Sequence, residues 1–196
     1  MKNCFNKLIL FFTLFILIIG CKKTPTNQPI IPPVEFVHHK ILQGQQYSDQ
    51  TKFEVFEQQE LKFIAKFDSS SIYSTAIPSN QYDINKLYGF ADNGEHHHLF
   101  SARFGWRWSD GKLRLFAYVY NNGIVANREL GIINIGNEQD CSIKVQSNSY
   151  IFSLNGVNTI MPRTSTTPNG KGYKLFPYFG GDETAPHDIH IWIKEK

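Results

Sequence analysis

Cysteine is scarce in this chain: three residues in 196, at Cys4, Cys21 and Cys141. That excludes a disulfide framework and a cysteine metal or redox centre. Cys141 alternates in phase with Ile143 and Val145, as a small buried hydrophobe would. Charge of one sign is also lacking. The formal net charge is +3; setting aside Lys2 and Lys7, which fall in a leader-like segment, 18 of the 20 basic residues remain against 17 acidic ones. No long-range field for nucleic acid results, and nucleic acid is excluded as a partner. Helical periodicity is missing too, apart from one expected turn at Asp83 to Leu87. So are the signatures of chemistry: no Gly-x-Ser-x-Gly, phosphate loop or zinc-protease helix occurs. No cofactor is implied and no metal is assigned. With 41% hydrophobic residues, the chain nevertheless collapses rather than staying disordered.

The one long apolar run is at the start. Lys2 and Lys7 precede an uncharged stretch from Leu8 to Ile19, about a dozen residues and short of the roughly 20 that span a bilayer. This is the plan of a cleaved signal peptide over 1–20. The sequence Leu17-Ile-Ile-Gly-Cys21 resembles the lipobox of bacterial lipoproteins. The resemblance implies that Cys21 is lipidated, becomes the new N-terminus and holds the protein on a membrane. Several acyl chains, at about 0.8 kcal/mol per buried methylene, make such an anchor lasting. Residues 22–33 carry four prolines and no hydrophobic period, so 21–33 reads as a lipidated tether. Lys22 and Lys23 are not followed by the acidic cluster that resembles a surface-export signal. The expected location is the bacterial envelope, on the outer membrane facing the periplasm.

Residues 34–196 read as one all-β domain, an antiparallel two-sheet sandwich. Short alternating runs recur about every ten residues between turn pairs. They are expected at Glu35–Leu42, Lys52–Glu57, Glu60–Phe67, His97–Trp108, Lys112–Asn121, Glu129–Ile135, Cys141–Gln146, Ser149–Asn155, Val157–Met161, Tyr173–Phe179 and His187–Lys194. Asp110-Gly111 is a two-residue hairpin turn, because both positions tolerate positive φ. Trp108, Trp106, Phe104 and Ala102 then face Leu113, Leu115, Ala117 and Val119, all apolar. The opposite face pairs Arg107 with Arg114, Gly105 with Phe116, Arg103 with Tyr118 and Ser101 with Tyr120. A one-residue slip would mix the two faces. Turns at Asn155-Gly156 and Ser147-Asn148 likewise gather Cys141, Ile143, Val145, Tyr150, Phe152, Leu154, Val157, Thr159 and Met161 on one side.

The segments Ser101-Ala-Arg-Phe-Gly-Trp-Arg-Trp, Tyr150-Ile-Phe-Ser-Leu-Asn-Gly and Leu175 to Ile189 resemble Bacteroidota-type lipoproteins whose domain is similar to concanavalin A-like jelly rolls, the fold of lectins, glucanases and lyases. The resemblance covers about residues 85–196 and implies a fold, with no reaction attached. The Glu-x-Asp-x-x-Glu strand of glucanase-type jelly rolls, which places acid and nucleophile side by side, is absent. Tyr173-Lys-Leu-Phe-Pro-Tyr178 does not reproduce the Tyr-x-Lys-x-Gly-x-Tyr strand of the lyases. A binding role is therefore expected over catalysis.

The expected ligand-binding residues are Arg103, Arg107, Arg114, Phe116, Tyr118 and Tyr120. Rings stack on sugar C–H faces and guanidinium groups donate fixed hydrogen bonds. The expected ligand is a carbohydrate or cell-envelope glycan, neutral or acidic. The alternative for this face is a covered polar sheet, with loops at Asn121–Arg128 or Thr164–Lys171 lying across it. Arg107 facing Arg114 calls for an anion between them, internal or bound. An alternative activity, a polysaccharide lyase or glycoside hydrolase, would need His97, Tyr118 and an arginine in one groove; a protein-binding lipoprotein would show a flat surface. On a strand, only His96 and His98 of the run His96-His97-His98 share a side. Asp188 and His190 could join His97, and His187 lies beside them. Asp182, Glu183 and Asp188 could ligate calcium, although a corner inserting Phe176, Tyr178 or Phe179 into the core explains that segment without an ion.

Overall fold

The computed structural model describes residues 35–196. The segments expected to be a signal peptide (1–20) and a lipidated tether (21–33) fall outside the described residues. Within the described residues, twelve strands form two six-stranded antiparallel sheets. The first runs in the order β1 (Val37–Ile41), β12 (Ile189–Glu195), β3 (Glu60–Phe67), β8 (Glu138–Gln146), β9 (Ser149–Leu154), β10 (Val157–Pro162). The second runs β2 (Val55–Gln58), β11 (Gly170–Leu175), β4 (Asn85–Ala91), β5 (Phe100–Ser109), β6 (Lys112–Asn121), β7 (Ile124–Ile133). The architecture is the expected all-β two-sheet sandwich.

The three turn-derived registers hold. Trp108 faces Leu113 and Arg103 faces Tyr118, Val157 faces Leu154, and Cys141 also faces Leu154. Asp110 and Gly111 have φ of 54° and 68°, Asn155 and Gly156 of 51° and 83°. Both pairs show the left-handed conformation that makes a two-residue loop follow strand twist. The inner faces meet in an aromatic core, with Phe63 edge-on to Phe104 at 5.4 Å and Phe104 edge-on to Phe152 at 5.3 Å. Trp106 is fully buried. Cys141 is buried as expected, and burial raises its thiol pKa.

Three local readings are corrected. No helical turn occupies Asp83–Leu87; a 3-10 turn lies earlier, at Pro78–Tyr82, and Asn85 opens β4. This central strand escaped notice because a bulge between Lys86 and Tyr88 breaks its alternation. Its residues are almost all buried, on both sides of the sheet. Asn121–Arg128 is not a loop, since Asn122 and Gly123 (φ 50° and 77°) form another tight turn and β7 starts at Ile124. The run Tyr173–Phe179 leaves the sheet after Leu175, and Phe176 and Phe179 turn into the core. Phe179 packs edge-on against Tyr73 at 5.0 Å.

Candidate functional site

The outward face of β5 and β6 is divided in two. At one end, Arg107 donates from Nη1 to the Tyr82 carbonyl at 2.7 Å and lies over the Phe116 ring at 4.7 Å. The Pro78–Tyr82 turn thus covers this end, and Phe116 is buried. The anion required beside Arg107 and Arg114 is internal. Arg114 pairs with Glu129 at 3.0 Å and with Asp110 at 3.5 Å. Of the six expected binding residues, Arg107, Arg114 and Phe116 therefore find partners within the protein.

At the other end Arg103, Tyr118 and Tyr120 line a cleft of about 430 Å³. Lys86, Tyr173, Tyr178, Tyr47, Phe53, His97 and His98 join them from other elements. Tyr47 and Phe53 stand exposed, with Tyr47 edge-on to Tyr178 at 4.9 Å and Phe53 tilted against Tyr173 at 5.7 Å. Gly89, the cross-strand partner of Arg103, makes room beneath it. A Cβ there would lie 2.1 Å from the Ala102 carbonyl oxygen and 2.9 Å from Arg103 Cγ.

The electrostatics of the cleft are one-sided. No Asp or Glu lines it. Arg103 is 6% exposed, its Nε is buried without a hydrogen-bond partner, and it takes part in no ion pair among the described residues. Burial lowers its pKa to about 10, which still leaves the guanidinium charged at neutral pH. Burial, then Arg103, lowers Lys86 to about 8; its Nζ sits 4.3 Å from the Tyr118 ring centroid. Burial, then Tyr120, raises the Tyr118 hydroxyl pKa. A second hollow, about 310 Å³, is different in kind. There Lys174 pairs with Glu54 and with Glu195 at 2.6 Å, so the cation is neutralised internally.

The three histidines are not on a strand. They precede β5 in a turn closed by the Leu99 and Phe100 N–H groups, both donating to the His96 carbonyl at 2.8 and 3.2 Å. A turn bunches consecutive side chains where a strand would alternate them. The ring centroids of His96, His97 and His98 lie 4.2, 4.4 and 5.1 Å apart. His97 Nδ1 is 2.9 Å from the Tyr173 hydroxyl.

The remaining candidates lie elsewhere. His190 projects from the first sheet and stacks on His38 at 5.0 Å. Asp188 pairs with Lys40 at 2.7 Å and accepts from the Gln43 N–H. His187 donates to the Ser70 carbonyl at 2.8 Å. Neither Asp188 nor His190 lines the cleft with His97, so that site is not assembled. Nor is Glu183 free for calcium, because it accepts from the Ala76 and Ile77 N–H groups, both at 2.8 Å, and from Asn80. Those bonds lower its pKa. Asp182 is exposed beside it.

No family profile matches the chain, and no curated relative does. Solved structures do. A glycoside hydrolase family 16 endo-glucanase from Bacteroides ovatus aligns with TM-score 0.55 at 12% identity, over 83% of this chain and 81% of that one. The alginate lyase AlyC3 aligns with TM-score 0.53 at 11% identity, over 83% and 74%. An endo-1,3-β-glucanase catalytic domain from Thermotoga petrophila gives 0.50 at 13%, over 82% and 76%. The fold is the concanavalin A-like jelly roll. At such identities the likeness establishes architecture alone, and the chemistry is argued from this chain's own cleft. A carboxylate-pair hydrolysis has no residues there. His97, Tyr118 and Arg103, by contrast, share the groove that an eliminating enzyme would need. The surface is concave, unlike the flat face expected of a protein-binding lipoprotein.

Sequence reading missed Lys86, Tyr173, Tyr178, Tyr47 and Phe53. The bulge in β4 concealed the first. The others come from segments whose approach to β5 depends on the packing of β11 and the loops, although the density of aromatics around Tyr173 to Phe179 is a visible signal.

Proposed function

We propose that this protein is a lipoprotein, anchored through Cys21 on the outer membrane facing the periplasm, whose cleft binds an acidic glycan. The observation that carries the reading is Arg103: a buried guanidinium at an aromatic-lined cleft that contains no carboxylate. A buried cation without a counter-ion is costly, and a sugar carboxylate would supply the missing partner while Tyr118, Tyr120, Tyr173 and Tyr178 take the ring faces. The jelly-roll likeness to glucan- and alginate-acting enzymes supports a carbohydrate ligand.

Calorimetric titration of the full chain with oligogalacturonate and with cello-oligosaccharides tests this. The acidic oligomer should bind, more weakly as salt rises. Arg103→Met and, separately, Tyr118→Ala should each weaken binding at least about tenfold, or 1.4 kcal/mol. Equal binding of the neutral oligomer, or no binding of either, would overturn the reading. The same mixtures separate the lyase alternative, which would generate unsaturated uronate ends from the acidic oligomer. For the anchor, acyl labelling of the chain should vanish in Cys21→Ser.

A further inference from the structure

We propose that His96, His97 and His98 form a binding site for one divalent transition-metal ion at the margin of the cleft. Each offers a ring nitrogen, and the three lie within 4.8 Å of one another. Zinc–nitrogen bonds of about 2.0–2.1 Å would bring tetrahedral ligands about 3.4 Å apart, which small side-chain rotations supply. Two of the rings already have the second nitrogen engaged. His97 Nδ1 meets the Tyr173 hydroxyl at 2.9 Å, and His96 Nδ1 accepts the His98 N–H at 3.3 Å. Their Nε2 atoms are thereby left for an ion. Holding the non-ligating nitrogen is how proteins fix the tautomer and orientation of a metal-binding imidazole.

The loop is preorganised. It leaves β4 at Asp92, a buried carboxylate clamped by Arg163. The Gly94 N–H donates to the Lys171 carbonyl at 2.7 Å, and the His96 carbonyl closes the turn. Imidazole ligands bind in the neutral form. Three nitrogen donors and no carboxylate suit zinc, cobalt, nickel or copper rather than calcium or magnesium, which require oxygen. Three protein ligands also leave a position open to a further donor. This inference is independent of the glycan reading.

The test is titration of the tag-free, metal-depleted full-length chain with Co²⁺, followed by visible absorption, then displacement by Zn²⁺. Uptake should saturate at one Co²⁺ per chain. Tyr173→Phe, which removes only the hydroxyl behind His97, should weaken binding about tenfold. The double variant His96→Ala/His98→Ala alters two exposed residues and should lose saturable binding while its far-ultraviolet spectrum stays unchanged. Absence of saturable uptake by the parent chain, or undiminished uptake by the double variant, would overturn the proposal.

Discussion

Two buried arginines in this protein have opposite surroundings. Arg163 is 3% exposed and fully engaged. It donates from Nε to Asp92 at 2.8 Å, and from Nη2 to Asp92, Thr167 and the Asn169 carbonyl. Asp92 in turn accepts from Tyr150, Ser165 and the Lys171 N–H. Burial alone would raise the Asp92 pKa, but Arg163 and these donors outweigh it and hold the carboxyl below its ordinary value. Arg103, buried to nearly the same degree, has no carboxylate and an orphaned Nε. Equal burial thus has two meanings. A charge whose donors are all paired fastens loops together, whereas one left open toward a cleft is available to a ligand.

Removing the fastener should have the largest effect. Asp92→Ala strands the Arg163 charge in the interior, and loss of one partner from a buried pair costs about 3–5 kcal/mol. Denaturant unfolding should show that loss in the midpoint. Adding Arg163→Met to Asp92→Ala removes the stranded charge as well, so the double variant should lose less than Asp92→Ala alone. If Asp92→Ala unfolds at the parental midpoint, the pair is not fastening the loops.

A third buried base, His39, solves the problem by discharging. Burial, opposed by Asp49 and aided by His38 and Lys52, lowers its pKa to about 4. The unfolded chain binds this proton near pH 6.5, the folded chain only near 4. Between those values the unfolded state holds more protons, so stability falls on acidification by up to about 3 kcal/mol. Urea midpoints measured from pH 7 to 4 should decline, and His39→Gln should flatten that decline. An unchanged slope in the variant would assign it to other groups.

The smallest stability effect belongs to Arg103→Met. Replacing an unpaired buried charge with an apolar chain of similar length should leave stability within about 1 kcal/mol of the parent, or raise it. Acidic-glycan binding should weaken at least about tenfold all the same. A large loss of stability would mean that Arg103 supports the fold much as Arg163 does.

Much of the second sheet was legible. Asp110-Gly111 fixed every pair from Ser101–Tyr120 to Trp108–Leu113, because a two-residue turn leaves no freedom of register. Asn122-Gly123 is an equally plain turn signal, and it starts at Ile124 the strand that alternation alone marks only from Glu129. Half of the expected binding face finds partners inside the protein for another reason. Arg107, Arg114 and Phe116 stand on the correct side of the strand, but alternation reports only the side. It does not reveal that Pro78–Tyr82 folds over Arg107 or that Glu129 reaches Arg114. The histidines are arranged differently from the expectation because the strand expected from His97 begins at Phe100, and turn and strand place consecutive rings in opposite ways.

Sequence by itself determined the class of fold, the hairpin registers and the sorting of oily from cationic residues, since period-two alternation and positive-φ turns act between residues close along the chain. Tertiary structure alone decided which arginine is paired and which is open. Arg163 and Asp92 are 71 residues apart, and Lys86, His97, Arg103, Tyr118 and Tyr173 meet only when β11, β4, β5 and β6 align side by side. Contacts of that range arise from the packing of whole sheets and leave no local pattern.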